Sequence, residues 1–83
     1  MQTIEVKEEE EVTRFMFTAA DVKKMISSII KNTSSIEWKS VRPYMRKLVT
    51  DAHTRIMRYH NNPGMLSFGH NETIMIFRLY RRL

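Results

Sequence analysis

Cysteine is absent from this chain of 83 residues, and with it any disulfide framework or thiolate metal site. The reinforcements of small secreted domains are therefore excluded, and a reducing compartment or indifference to redox is implied. Glycine occurs only at positions 64 and 69, so no glycine-rich loop exists to cradle a phosphate. The longest uninterrupted apolar run, residues 74–77, is far short of the ~20 residues that cross a bilayer. The first residues are acidic where a secretory leader would be basic. A soluble cytoplasmic protein is expected, with no membrane partner, and associated with nucleoid or nucleus if it binds DNA.

Acids are scarce beyond residue 11. Residues 1–11 hold Glu5, Glu8, Glu9, Glu10 and Glu11 against Lys7, a net of −4. Residues 12–83 hold thirteen Lys and Arg against Asp21, Glu37, Asp51 and Glu72, a net of +9. This division predicts an acidic flexible arm over 1–11 and one basic domain over 12–83. A basic surface concentrates polyanions, so nucleic acid, an acidic protein face or an anionic membrane are the candidate partners by charge, of which the first two are carried forward. The arm, folded back, would compete with such a partner.

Hydrophobic patterning supplies the expected elements. Residues 12–17 alternate as a strand requires. Thr18 and Asp21 form a capping-box pattern, and Val22, Met25, Ile26, Ile29 and Ile30 then share one face, which predicts a helix over 19–32. Ser34 and Glu37 cap a short separate turn over 34–39. Val41, Met45, Leu48, Val49, Ala52, Ile56 and Tyr59 fall within an arc of ~100°, which predicts a long helix over 41–60 with Ser40 as N-cap and Pro43 in the first turn.

Residues 61–64 end that helix. Residues 65–68 and 73–81, around a turn at 69–72, suggest two strands. The expected fold is α+β: a three-stranded antiparallel sheet, made of the N-terminal strand and a C-terminal hairpin, packed on two helices. The alternative is a winged helix-turn-helix, with helices at 19–32, 34–42 and 43–60 and a wing over 65–81.

Two basic clusters carry the functional reading. Lys39, Arg42, Arg46, Lys47, His53, Arg55 and Arg58, with His60, surround the long helix, where Asp51 is the only acid. A helix so poorly neutralised suits phosphate contact. At the C-terminus Arg78, Arg81 and Arg82 interleave with Phe77 and Tyr80, so arginines can grip phosphates while Tyr80 stacks on a base or sugar.

The expected function is a small basic nucleic-acid-binding regulator that contacts the phosphate backbone through its long helix and C-terminal strand. The second reading is a protein-binding inhibitor or adaptor, of the phage or mobile-element type, that docks on an acidic host surface. Exposed methionine at 57 and 65 suits that reading, with Met16, Met25, Met45 and Met75 as core fillers. Catalysis is not expected. His53, His60 and His70 lack companions at metal-ligand spacing, and no cofactor motif is present. The order strand, helix, helix, strands ending in Arg and Tyr is similar in topology, though in no specific motif, to small basic α+β toxins that cut messenger RNA. That likeness implies a third reading as a metal-free ribonuclease using one of the three histidines. A domain this small can also pair into a homodimer through its helix or sheet edge.

Overall fold

The structure is a computed structural model that describes residues 17–83. Among these residues there are four α-helices and no strand: α1 Ala19–Asn32, α2 Ser35–Ser40, α3 Pro43–Arg58 and α4 His70–Arg82, with one 3-10 turn at Pro63–Met65. The expected α+β sheet and the alternative wing are both overturned. Residues 12–16 of the expected first strand, and the acidic arm, lie outside the described residues.

The first two helices begin where their caps dictate. Thr18 Oγ1 accepts from the Asp21 amide at 3.2 Å while the Thr18 amide donates to the Asp21 carboxylate at 2.9 Å. That amide bond holds the Asp21 carboxyl below its ordinary pKa, because it favours the charged form. Ser34 and Glu37 repeat the arrangement at 3.1 and 3.2 Å. Each box satisfies amides that the first helical turn leaves without partners.

Pro43 occupies the first turn of α3, where its missing N–H costs nothing. The N-cap is Arg42, with no side-chain cap, rather than Ser40. The Ser40 hydroxyl donates instead to the Glu37 carbonyl at 2.6 Å, closing the end of α2. Val41 and Arg42 are extended (ψ 137° and 140°), so the chain turns a corner between α2 and α3.

The last third departs most from expectation. Residues 73–81 are helical, and 65–68 form the end of the 3-10 turn and an irregular approach to α4. Gly69 has no side chain to cap with, but its amide donates to Glu72 Oε1 at 3.3 Å, the reciprocal half of a capping box. The Thr73 hydroxyl donates to the Gly69 carbonyl at 2.9 Å, and Arg81 and Arg82 complement the negative end of the helix dipole. A short apolar run such as 74–77 fits strand and helix alike by period, and its isoleucines bias the choice toward strand.

The core joins three helices and one loop residue. Val22, Met25, Ile26 and Ile29 of α1 meet Val49, Ala52 and Ile56 of α3, Leu66, and Ile76 and Leu79 of α4. Helix α1 packs on both α3 and α4, most extensively on α4. Phe17 and Phe77 add a tilted ring pair with centroids 5.0 Å apart. The predicted stripes of α1 and α3 are the faces buried here, except that Ile30 is 44% exposed.

Candidate functional site

In a helix, Met75, Arg78, Leu79 and Arg82 stand at i, i+3, i+4 and i+7 and share one face. As a strand the same segment would set Arg78, Tyr80 and Arg82 on one side and Arg81 on the other. The helix therefore puts two arginines on a strip with Met75 and Leu79. Opposite that strip stands the corner between α2 and α3, which contributes Ser40, Val41, Arg42, Tyr44 and Met45.

The two sides enclose an open cleft of about 400 Å³. Arg42, Arg78 and Arg82 all line it, and among the described residues no acidic side chain does. Leu79 is buried, Met45, Met75 and Arg78 are half-buried, and Arg42, Tyr44 and Arg82 are exposed. Arg42 and Arg82 make no ion pair with any described residue. The cleft thus combines a mostly polar lining with a cationic rim. Guanidinium groups present donors in a planar fork that matches phosphate oxygens.

A second cleft, of about 370 Å³, lies where the C-terminal end of α1 meets α4. Ser28, Asn32 and Thr33 line it from α1, and Tyr80 and Arg81 from α4. Leu83 borders both clefts. The Arg81 guanidinium also rests over the Phe77 ring, 5.3 Å from its centroid.

The remaining predicted residues lie elsewhere. Lys47 bridges Asp51 at 2.9 Å on an exposed stretch of α3. Arg55 grips Glu72 with both nitrogens, at 2.7 and 3.1 Å, donates to the Ser67 carbonyl at 3.1 Å, and lies 5.3 Å from the Phe68 ring centroid. The hydrogen bond to Glu72 raises the Arg55 pKa further above its ordinary value, against an opposing effect of burial. Arg46 donates to the Lys39 carbonyl at 3.4 Å. Lys39, His53 and Arg58 are exposed and line neither cleft.

Tyr44, Met75 and Leu79 join the cleft without having been marked as part of a basic site by the sequence. The i, i+3, i+4, i+7 spacing from Met75 to Arg82 was the signal that could have found two of them.

Among the described residues no cluster of His, Asp and Glu could hold a metal ion, and no helix is long and apolar enough to cross a membrane. With no strand among the described residues, the topological likeness to the ribonuclease toxins loses its C-terminal strands. Compared with protein-family models, curated proteins and solved structures, the chain matches none.

Proposed function

We propose that this chain is a small nucleic-acid-binding protein that grips the phosphate backbone at the end of the helix bundle where Arg42, Arg78 and Arg82 converge. The observation that carries this reading is the convergence itself: three guanidinium groups from two elements line one cleft, and no acidic side chain among the described residues shares it. Concentrated positive charge is the electrostatic footprint of phosphate recognition, and Arg42 and Arg82 make no ion pair with any described residue. Tyr80 and Arg81 extend that footprint into the adjoining cleft. The long helix takes a smaller part than its composition suggests, since Lys47 and Arg55 are occupied by Asp51 and Glu72.

The alternative, an inhibitor or adaptor docking on an acidic protein, would be favoured by Trp38, Tyr44 and Met57 exposed together. Trp38 is half-buried against the core. Tyr44 and Met57 are both exposed but thirteen residues apart on α3, about 20 Å along its axis. Nucleic acid is therefore the better-supported partner.

The test is a binding isotherm against random duplex DNA and single-stranded RNA over a salt series. Affinity should fall linearly with salt on logarithmic axes. The absence of measurable binding near ~50 mM salt to either polymer would remove the proposal.

A further inference from the structure

Every acidic side chain among residues 17–83 is committed away from the cleft. Asp21 and Glu37 cap α1 and α2, Asp51 pairs with Lys47, and Glu72 clasps Arg55. None of the four lines the cleft that holds Arg42 and Arg82. The other five acids of the chain are Glu5, Glu8, Glu9, Glu10 and Glu11. An acidic side chain that meets Arg42 or Arg82 within one molecule can therefore come only from residues 1–11. Arg78 and Arg81 are engaged within the chain, whereas Arg42 and Arg82 are exposed and make no ion pair with any described residue.

The tether is long enough to bring the glutamates there. Phe17 is fixed to α4 by its ring pair with Phe77, centroids 5.0 Å apart. Arg82 follows Phe77 by five positions, about 7.5 Å along the helix axis and about 140° around it, so the path over the helix surface is about 15 Å. Glu11 stands six positions before Phe17, a reach of up to ~20 Å in extended chain, and Glu8 nine, a reach of up to ~30 Å. The chemistry fits as well as the distance. A guanidinium fork receives carboxylate oxygens in the same two-pronged geometry as phosphate oxygens, and Arg55 already holds Glu72 in that way at 2.7 and 3.1 Å.

Resting on the nucleic-acid reading above, we infer that the glutamates at 8–11 are an intramolecular substitute for phosphate, docking on Arg42 and Arg82 so that nucleic acid must displace them. A tether this short holds them at an effective concentration of ~1 mM. An arm contact with an intrinsic Kd of ~1 mM then halves the apparent affinity for nucleic acid, and one of ~0.25 mM lowers it about fivefold. The arm thus sets a threshold that only a ligand with several phosphates exceeds.

The natural lack of cysteine allows a single Val6→Cys in the full chain to carry a nitroxide. Paramagnetic broadening of the Arg42 and Arg82 amides in NMR spectra should be strong at low salt. It should fall at least about twofold when Glu8, Glu9, Glu10 and Glu11 are all changed to Gln, or in ~1 M salt, where the screening length is ~3 Å. The glutamine variant should also bind random duplex DNA or single-stranded RNA about two- to fivefold more tightly. That gain should vanish in a background of Arg42→Gln with Arg82→Gln, and matching circular dichroism melts would show that all variants fold. Broadening unchanged by the glutamine substitutions overturns the inference. So does a gain that persists undiminished in the altered background, since the glutamates would then act through net charge alone. Absence of nucleic-acid binding in every variant, with the broadening intact, removes the nucleic-acid reading and leaves the docked arm standing.

Discussion

Arg55 and Arg82 sit at opposite ends of the same antiparallel helix pair, and their surroundings differ completely. Arg55 is held by both oxygens of Glu72, by the Ser67 carbonyl and by the face of Phe68. Glu72 at the same time accepts the Gly69 amide, so one carboxylate joins α3 to α4 and starts the second of them. At the other end Arg82 shares a cleft with Arg42 and Arg78, and no acid among the described residues lines it. The first arrangement spends its donors inside the protein and works as a clasp. The second sets Arg42 and Arg82 on a concavity, where neither makes an ion pair with any described residue. Net charge counts the two alike, and the position of Glu72 separates them.

The sharpest way to break the comparison is charge reversal at the open end. Arg42→Glu combined with Arg82→Glu should weaken nucleic-acid binding by about a hundredfold or more at low salt, because repulsion replaces two phosphate contacts. Both positions are exposed, so the melting temperature should barely move. A coincident loss of fold would mean that these arginines are structural after all.

At the clasp the outcome should invert. Arg55→Ala strands Glu72, whose side chain is only 19% exposed, and should cost about 1–3 kcal/mol of stability in urea melts. Arg55→Lys should recover part of this, since an ammonium cannot make the two-pronged contact. Binding by the folded fraction should change less than about twofold, as for a surface change remote from the ligand.

Removing residues 1–11, which carry a net of −4, should strengthen polyanion binding a few-fold at low salt and steepen its salt dependence. Equal affinities with and without the arm would separate its charge from the cleft's work.

Acid titration distinguishes a cap from both ends. The pKa of Asp21 is lowered in the fold from an ordinary 3.8, so its contribution is present above that value and lost as pH falls through the lower folded value. Asp21→Asn should therefore flatten the stability curve below about pH 4 and leave nucleic-acid binding at neutral pH unchanged. A curve identical to that of the natural chain would place the acid sensitivity elsewhere.

The smallest effect is expected at Lys47. Its bridge to Asp51 joins side chains 77% and 54% exposed, where such pairs contribute about 0–1 kcal/mol. Lys47→Ala should shift stability by no more than about 0.5 kcal/mol and binding by no more than about twofold. A large binding loss would return the long helix to the centre of the interface.

Much of the fold was legible beforehand, for reasons that are local. The Thr18 and Asp21 box and the Ser34 and Glu37 box act within four residues, and both form as their spacing predicts. Apolar stripes at helical period leave one burial solution for 19–32 and for most of 41–60. The C-terminal third departs from expectation because Thr73 to Tyr80 satisfies two periods at once, and its isoleucines favour the strand. What outweighed it was the helix start at Gly69 and Glu72, a pairing of the same kind as at Thr18 and Ser34 but lacking the capping side chain. Of the candidate site, Arg42, Arg78, Arg81 and Arg82 are legible from charge, and Tyr80 from its place among the arginines. Their division between two clefts was not legible while the segment was assigned as a strand.

The sequence by itself determined the surplus of basic charge beyond residue 11, the caps of the first two helices and the apolar faces of α1 and α3, because each depends on residue type and short spacing. Only the tertiary structure decided which cations are neutralised. Asp51 reaches Lys47 within one helix, but Glu72 reaches Arg55 across seventeen positions, and the same antiparallel crossing brings Arg42 and Arg82 to one cleft that no acid among the described residues lines. Electrostatic partnership depends on distance in space, and packing of the core sets that distance.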